Sequence, residues 1–163
     1  MKFHICETEL GWIGVVVSLA GLRATTLPRK SRDDALGEVL ALGASEEAPE
    51  GELNGLAERL RRYTRGEAVA FPDALDFHSV SPFQRAVWEA TRDIPRGQTS
   101  SYGELAARVG RPGAARAVGQ AMAHNPWPIV VPCHRVVASD GRLGGYGGGL
   151  DMKERLLRLE RAQ

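Results

Sequence analysis

The stretch "NPWPIVVPCHRVV", residues 125–137, joins an apolar run to three reactive or charged side chains. Six of its thirteen residues are aliphatic or aromatic, three are prolines, and Cys133, His134 and Arg135 follow one another near its end. An apolar run of this kind predicts burial in a core. Two interpretations are open: Cys133 is an inert core residue, or the run carries a thiol to the floor of a site.

The composition indicates a globular protein of one or two small domains. The chain has 163 residues, of which 43% are hydrophobic and 25% are charged, and these values are ordinary for a folded chain with a core. No apolar stretch approaches the ~20 residues that span a bilayer. Acidic residues lie where a signal peptide would have its apolar centre. We therefore expect a cytoplasmic protein with no membrane partner and with reduced cysteines.

The charges are distributed unevenly along the chain. Residues 1–78 contain 9 basic and 13 acidic residues, a net charge of −4, whereas residues 79–163 contain 12 and 7, a net charge of +5. This asymmetry fits either a chance pattern on a solvated surface or a second half that binds a polyanion such as nucleic acid.

The first half has the pattern of a small α/β domain. Residues 1–28 alternate β-forming residues with glycines, which predicts two or three strands of an antiparallel sheet. Ser31, the acidic residues after it and Gly43 predict a helix between them. Residues 45–52 are expected to form a loop, and a second helix is expected over residues 53–67. An extended linker then predicts a boundary near Val80, which separates domains 1–79 and 80–163.

The second half has three predicted helices and two capping boxes. Ser81 with Gln84, and Ser101 with Glu104, each have the spacing in which the two residues cap a helix reciprocally. A turn at residues 111–113 separates the second helix from the third, over residues 114–125. Two short helices joined by a tight glycine-containing turn predict a helix-turn-helix.

The third of these helices combines an apolar face with a face of small residues. The helical period predicts a buried face at Ala114, Ala117, Val118, Ala121 and Met122. The opposite face holds Ala115, Arg116, Gly119, Gln120 and Ala123. A helix is ~10–12 Å across and the DNA minor groove only ~6 Å wide, so a stripped face could approach a widened groove. The alternative is that the small face packs against another part of the protein.

Cys133 is the candidate nucleophile because a base follows it directly. A free thiol has a pKa near ~8.5 and needs a base to ionise at neutral pH. Adjacent side chains usually diverge, so a water would have to link His134 to the thiol. Glu160 lies on the inward edge of the predicted C-terminal helix, with Leu156 and Leu157, and a buried carboxylate needs a partner. His134 is the natural partner, although a purely structural Cys–His pair stays an alternative.

Neither a cofactor nor a metal is expected. Residues 141–149 contain six glycines, but they lack the Lys-Ser/Thr ending of a phosphate-binding loop and the G-x-G-x-x-G pattern. Such dense glycine predicts a backbone that turns tightly and approaches another group closely. His4, Cys6 and the distant His78 do not have the spacing of a structural zinc site.

Taken together, these motifs resemble the O6-alkylguanine-DNA alkyltransferases, also called methylated-DNA–protein-cysteine methyltransferases. "SPFQRAVWEA", "IPRGQTSSYGELA", "AARAVGQAM", "NPWPIVVPCHRV" and "GGYGGGLDMKERLL" match that family in order and spacing over residues 80–160. The first half matches only in length and in its strand–helix pattern. The resemblance implies an N-terminal ribonuclease-H-like α/β domain and a C-terminal, mainly helical domain that holds the helix-turn-helix and the active site.

The activity that the resemblance implies is repair of double-stranded DNA. A monomer binds through the minor groove, flips out O6-alkylguanine, and transfers the alkyl group irreversibly and stoichiometrically to Cys133; O4-alkylthymine is a possible further substrate. His134 is then the base, acting through a water and held by Glu160, while Asn125 braces the turn behind the site. The apolar run is accordingly expected to be a buried strand that delivers the thiol.

The resemblance also implies a set of residues that contact the substrate or the DNA. Tyr102 would hydrogen-bond the flipped base, and Arg116 would fill the space that the base leaves in the stack. The complete expected set is Tyr102, Ala115, Arg116, Gly119, Met122, Arg135, Val136, Tyr146 and Gly147. Two departures from the family pattern affect the pocket: Gly147 stands where some relatives have serine, and Trp127 replaces smaller residues and is expected to reshape the rim.

Other functions are compatible with parts of this pattern. A non-catalytic sensor of alkylated DNA, or a helix-turn-helix regulator, would use the same fold without transfer, although such sensors lack the cysteine. A cysteine hydrolase would use Cys133 and His134 over many turnovers. The number of alkyl groups retained per protein distinguishes the three: one for repair, none for a sensor, and none with continued turnover for a hydrolase.

Overall fold

The computed structural model describes residues 1–144 and 149–161 and divides into two compact units. The first unit is Met1–Phe77, and the second begins at His78. Tyr146 and Gly147, which were expected to line the base pocket, lie outside the described residues.

The first unit contains a four-stranded sheet of order β3-β2-β1-β4. The three longer strands are antiparallel, as predicted, and β4 adds to β1 in parallel. Their bounds are β1 Lys2–Thr8, β2 Gly11–Ser18, β3 Gly21–Thr25 and β4 Glu46–Glu47. The prediction of a loop over residues 45–52 was therefore wrong in part, because this segment contains β4 and the start of a 3-10 turn at Glu50–Leu53.

Two helices complete the first unit, α1 at Arg32–Ala41 and α2 at Leu56–Thr64. The Ser31 hydroxyl accepts a hydrogen bond from the Asp34 amide at 3.1 Å, which confirms the predicted N-cap. Helix α1 packs on the sheet and α2 contacts β1. One apolar cluster joins sheet and helix: Phe3, Ile5, Val16, Ala24, Ala35, Val39 and Ala44.

The second unit is mainly helical. Its elements are α3 Pro82–Arg92, β5 Ser100–Ser101, α4 Tyr102–Arg108, α5 Ala115–Ala123, a 3-10 turn at Cys133–Arg135, β6 Val136–Val137 and α6 Leu150–Arg161. Both predicted capping boxes are confirmed, since Ser81 with Gln84 and Ser101 with Glu104 make reciprocal hydrogen bonds. They begin α3 and α4 at the predicted residues, and these two helices frame the segment that leads to Tyr102.

The apolar run before Cys133 is buried, but it is not a strand. Residues 125–132 form bends and turns, and Ile129 has a φ of 75°, a left-handed conformation in which a β-branched residue is strained. Prolines at 126, 128 and 132 cannot donate to a ladder of strand hydrogen bonds, which explains why no strand forms. The run therefore reaches Cys133 as a compact buried turn.

Helix α5 matches its predicted faces with two exceptions, Ala117 and Ala114, which precedes the helix and is only half-buried. Val118, Ala121 and Met122 are buried, whereas Ala117, predicted to be buried, is exposed. The helix begins only at Ala115, so it is short and its buried stripe is narrower than the sequence pattern predicted.

Within the described residues, none of the helices has the length and apolarity that crossing a membrane requires.

Candidate active site

Asn125 braces the turn that carries Cys133. Its side-chain amide donates to the Val131 carbonyl at 3.0 Å, and its side-chain oxygen accepts from the Trp127 amide at 3.0 Å. The same Val131 carbonyl accepts a hydrogen bond from the Cys133 amide at 2.7 Å. A single acceptor thus links the asparagine side chain to the backbone of the cysteine. Cys133 is 5% exposed and opens the 3-10 turn.

His134 and Glu160 form a fully buried pair beneath this turn. The Nε2 atom of His134 lies 2.7 Å from Oε2 of Glu160, and the side chains are 0% and 1% exposed. Glu160 lies on the inward edge of α6 with Leu156 and Leu157, as the helical period predicted. Glu160 is thus a buried carboxylate whose partner is His134, as the sequence pattern predicts.

The ionisation of the pair fixes which ring nitrogen can act as a base. Burial lowers the pKa of His134; the hydrogen bond to Glu160 and the charge of Glu160 oppose that effect, and the charges of Arg135 and Lys153 add to it, so the net shift is downward. Burial alone would raise the pKa of Glu160, but the hydrogen bonds from His134 and Arg135 outweigh it and hold that pKa far below its usual range. A carboxylate only accepts hydrogen bonds, so a neutral His134 carries its proton on Nε2. The buried Nδ1 atom is then the basic one.

Arg135, which the resemblance places among the substrate and DNA contacts, points into the protein. Its Nε and Nη2 atoms donate to the two oxygens of Glu160, each at 2.9 Å. Its Nη1 atom donates to the carbonyl of Ile94 at 2.7 Å. The side chain is 12% exposed. His134 and Arg135 both lie on the 3-10 turn, and both side chains reach Glu160 on α6.

Lys153 is a buried cation that the sequence analysis did not identify. It is 0% exposed, and its ammonium donates to the Val136 carbonyl at 2.6 Å and to the Leu143 carbonyl. Burial lowers its pKa to about 8, although the charge of Cys133 acts in the opposite direction. Its signal was present in the sequence, because residues 153, 156, 157 and 160 share one helix face.

Tyr102 is brought to the site by a short parallel ladder. Residues 100 and 101 of β5 pair with 136 and 137 of β6, directly before Tyr102 and directly after Arg135. The Lys153 Nζ atom lies 5.9 Å from the centroid of the Tyr102 ring. Burial, and then the charge of Cys133, raise the pKa of Tyr102. Gly144 has a φ of 71°, and a Cβ there would lie 2.8 Å from the Tyr102 hydroxyl, so the backbone at Gly144 passes close to this ring.

The residues predicted on α5 fall into two groups. Ala115 and Arg116 are exposed, and Gly119 is partly exposed, with no described atom within 4 Å of where its Cβ would be. The small face is therefore not filled by another described part of this chain. Met122, which was expected to contact DNA, is instead 8% exposed and lies 3.9 Å from the Thr91 hydroxyl.

Two further expectations concern the pocket wall. Trp127 does not form a rim, because it is 0% exposed and packs edge-on against Trp88 with ring centroids 5.2 Å apart. Its indole fills the core behind the cysteine turn. Val136 is buried and offers its carbonyl to Lys153.

The described residues contain no group of three or more His, Cys, Asp or Glu side chains arranged to hold a metal ion. Cys6 and Cys133 are both thiols.

Comparison with known proteins assigns a family to this arrangement. A family model described as the DNA-binding domain of 6-O-methylguanine DNA methyltransferase matches residues 82–162. That range contains all the residues of the buried cluster around Cys133.

Three similar proteins extend the match. The methylated-DNA–protein-cysteine methyltransferase of Mycolicibacterium paratuberculosis is 57% identical over 107 residues, which are 66% of this chain and 64% of that protein, just under two thirds of its length. The protein of the same name from Mycobacterium bovis is 49% identical over 113 residues, 69% of this chain and 68% of its own. The crystal structure of Mycobacterium tuberculosis OGT in complex with DNA has a TM-score of 0.82 and 37% identity, and covers 99% of this chain and 94% of that chain. This chain therefore belongs to the family of methylated-DNA–protein-cysteine methyltransferases, which are transferases.

Proposed function

We propose that this protein repairs DNA by transferring an alkyl group from O6-alkylguanine to the sulfur of Cys133. The observation that carries the proposal is the buried His134–Glu160 hydrogen bond of 2.7 Å directly after the cysteine. Burial of an imidazole and a carboxylate is costly unless they are hydrogen-bonded, and a buried pair directly after a thiol fits the role of a base and its orienting group. The relatives named as methyltransferases and the structure of a relative with DNA support the same reaction.

The proposed reaction moves one proton and one alkyl group. A water links the Cys133 thiol to His134 Nδ1 and passes the thiol proton to the imidazole. The thiolate attacks the alkyl carbon in line; the S–C bond forms as the bond from carbon to guanine O6 breaks, and its electron pair stays on the guanine. The guanine takes up one proton, for which the Tyr102 hydroxyl is the proposed donor, and that proton is restored from His134. The products are guanine in DNA and an S-alkyl cysteine.

The proposed transfer is irreversible and occurs once per molecule. The alkyl group of a neutral thioether is not readily passed on, because a thiolate would have to leave, and the cluster around Cys133 holds no second thiol to receive it. Cys6 belongs to the other unit. The protein is thus consumed in proportion to the lesions that it repairs. Whether O4-alkylthymine also reacts is tested with the same assay.

The proposed DNA contact is made by α5 in the minor groove, with α4 and α5 as a helix-turn-helix. The exposed small face around Arg116 and the open space at Gly119 support it, because a helix without large side chains can approach a narrow groove. Cys133 is only 5% exposed, so a base that stays in the duplex stack could not reach it. The base must therefore be flipped into the site, and Arg116 would occupy the space that it leaves.

We also propose the roles of the two domains, the oligomeric state and the location of the protein. Residues 1–79 are a ribonuclease-H-like domain, and residues 80–163 are the DNA-binding and catalytic domain. The protein acts as a monomer in the cytoplasm.

Intact mass spectrometry tests the proposed function directly. The protein is incubated with duplex DNA that contains one O6-methylguanine, and its mass should rise by one CH2 group, with the modification on Cys133. Undamaged duplex is the control. Binding without a change in mass would instead indicate a lesion sensor. Continued release of product by unmodified protein would indicate a hydrolase.

A further inference from the structure

The guanidinium of Arg135 joins three segments of the second unit. It follows His134 in the 3-10 turn, holds both oxygens of Glu160 on α6, and donates to the carbonyl of Ile94 after α3. The two parallel hydrogen bonds to the carboxylate form the bidentate fork that is the strongest arrangement of this pair. Glu160 Oε2 accepts from both His134 and Arg135.

Arg135 changes how strongly Glu160 favours a proton on His134. With the guanidinium bound to both oxygens of Glu160, the two charges neutralise each other beside the imidazole. Without it, the buried carboxylate bonded to His134 would favour the imidazolium, and burial and the charge of Lys153 would oppose that form. A net charge in a buried place is costly, so the guanidinium shifts the balance towards the neutral imidazole.

Among the described residues, five other charged or titratable groups lie near His134, and they come from α6, the 3-10 turn, α4 and the loop after α3. Lys153 on α6 is a second buried cation, and its charge also disfavours the imidazolium. Cys133 precedes His134, and Tyr102 of α4 is close enough to respond to the cysteine charge. Arg96, on the loop after α3, donates to the Leu159 carbonyl of α6 at 3.4 Å. Glu160 is the anion that favours the imidazolium, and Arg135 is the cation bound directly to it.

We infer that Arg135 is a positioning residue that keeps His134 neutral, with its proton on Nε2, so that Nδ1 is ready to accept the Cys133 proton. The inference rests on the proposed function for its use, but the state of His134 is a property of the free protein. Glu160 alone would orient the imidazole and also favour its protonation at neutral pH. The guanidinium retains the orientation and removes the second effect.

Nitrogen-15 NMR of the histidine ring in DNA-free protein tests the inference. In the parent protein at neutral pH, His134 should show one protonated nitrogen, Nε2, and one unprotonated nitrogen, Nδ1. In Arg135→Met both nitrogens should be protonated at the same pH, and the titration midpoint should move to higher pH. Arg135→Lys retains the charge and should keep His134 neutral. Arg158→Met, which removes an exposed arginine from the same helix, should change nothing.

Several results would overturn the inference. These are an imidazolium in the parent protein, a neutral His134 in a folded Arg135→Met protein, or an imidazolium in Arg135→Lys. If Arg135→Met does not fold, Arg135→Gln repeats the test with an uncharged side chain that keeps an amide donor. The Arg135→Lys arm by itself already decides whether charge, rather than the shape of the fork, sets the state of His134.

The rate of alkyl transfer gives a second, independent readout. A protonated imidazole cannot accept the thiol proton, so the acidic limb of the pH–rate profile of Arg135→Met should move to higher pH. The rate at neutral pH should fall by a sizeable part of the ~10²–10⁴-fold that general-base assistance supplies. A merely structural role for Arg135 would lower the rate equally at all pH values. If the parent transfers no alkyl group, the proposed function fails, and the NMR titration still decides the role of Arg135.

Discussion

The two cysteines of this protein are almost equally buried and have very different neighbours. Cys6 is 2% exposed and lies in the middle of β1, paired with Ile13 across the sheet. Burial raises its thiol pKa to about 11, and the charges of Arg61 and Glu50 largely oppose each other. Cys133 is 5% exposed and opens a 3-10 turn, with an imidazole, a carboxylate, a guanidinium and an ammonium buried around it.

The difference shows that burial does not determine whether a cysteine can react. Burial stabilises the neutral thiol in both places, since a thiolate loses its hydration there. Only at Cys133 is there a buried base whose other nitrogen is held by a carboxylate. Apolar surroundings make Cys6 inert, but around Cys133 they can favour the reaction. They exclude water from the reacting carbon and strengthen the interactions between the nearby charges.

The largest expected effect is the loss of alkyl transfer when one cysteine is replaced and its retention when the other is replaced. Cys133→Ala should abolish alkyl transfer while lesion binding persists, because the pocket loses only one small group. Cys6→Ala should transfer at the parental rate. Transfer is measured with radiolabelled O6-methylguanine duplex, and binding by fluorescence anisotropy. Label found on Cys6 in the Cys133→Ala protein would refute the comparison.

Glu160→Gln is expected to have the next largest effect. The amide keeps the shape of the side chain but not its charge, so the imidazolium that forms during transfer is no longer supported. The rate at neutral pH should fall by a sizeable part of ~10²–10⁴-fold, and higher pH should partly restore it because the thiol then ionises without the base.

The matched control for this change is Glu154→Gln, at an exposed position of the same helix. Lesion affinity and the melting temperature are measured for both variants, because Glu160 also holds Arg135 and its loss can loosen α6. A folded Glu160→Gln protein with the parental pH–rate profile would show that His134 acts unaided or only structurally.

Much of this site could be predicted because it depends on local rules. Capping boxes satisfy the amides of a helix start within four residues, so Ser81 and Ser101 mark α3 and α4 reliably. The helical period likewise placed Glu160 on the buried edge of α6. The order of the motifs over residues 80–160 points to Cys133 and His134 as the candidate reactive pair. The capping boxes and the helix face each need only the residues of one segment.

The parts that the sequence analysis missed depend on contacts between distant segments. Arg135 was expected among the substrate and DNA contacts from the family resemblance, and its hydrogen bonds to Glu160 depend on a contact between the 3-10 turn and α6. Lys153 shares the buried face of α6, but its role depends on carbonyls from the chain before that helix. The apolar residues of the turn at 125–132 predict a buried strand, but its three prolines cannot donate the hydrogen bonds that a strand needs.

Arg116→Ala should have a smaller effect, and one that depends on the substrate. If Arg116 fills the vacated stack, it offsets part of the few kcal/mol that flipping costs, and its loss should slow duplex repair by about tenfold or more. Reaction with the free base, O6-benzylguanine, needs no flipping and should be nearly unchanged. The salt dependence of binding should weaken by a log–log slope of about 0.9 if the side chain also neutralises a phosphate. Equal losses on both substrates would place the role of Arg116 elsewhere.

The smallest expected effect is on stability at alkaline pH, where two buried groups act in opposite directions. Burial lowers the pKa of Lys153 from 10.5 to about 8, so between these values the unfolded chain holds a proton that the folded chain has lost. Stability should then rise with pH through that window. Burial raises the pKa of Cys6 from 9.0 to about 11, so there the folded chain holds the extra proton. Stability should fall with pH through that second window.

The free energy of unfolding should change by roughly 3 kcal/mol across each full pH window, because one pKa unit corresponds to about 1.4 kcal/mol. The two pH windows overlap, so the contributions of Lys153 and Cys6 to the free energy of unfolding of the parent protein partly cancel. Single substitutions separate the two contributions. Lys153→Met should remove the rise from the unit that begins at His78, and Cys6→Ala should remove the fall from Met1–Phe77. Urea unfolding, followed through methyl NMR signals of each unit between neutral pH and pH ~11, measures both. Identical slopes in the parent and both variants would show that neither group retains its shifted pKa in the folded protein, and the contrast between the two buried sites would then have to rest on the neighbours of Cys133 alone.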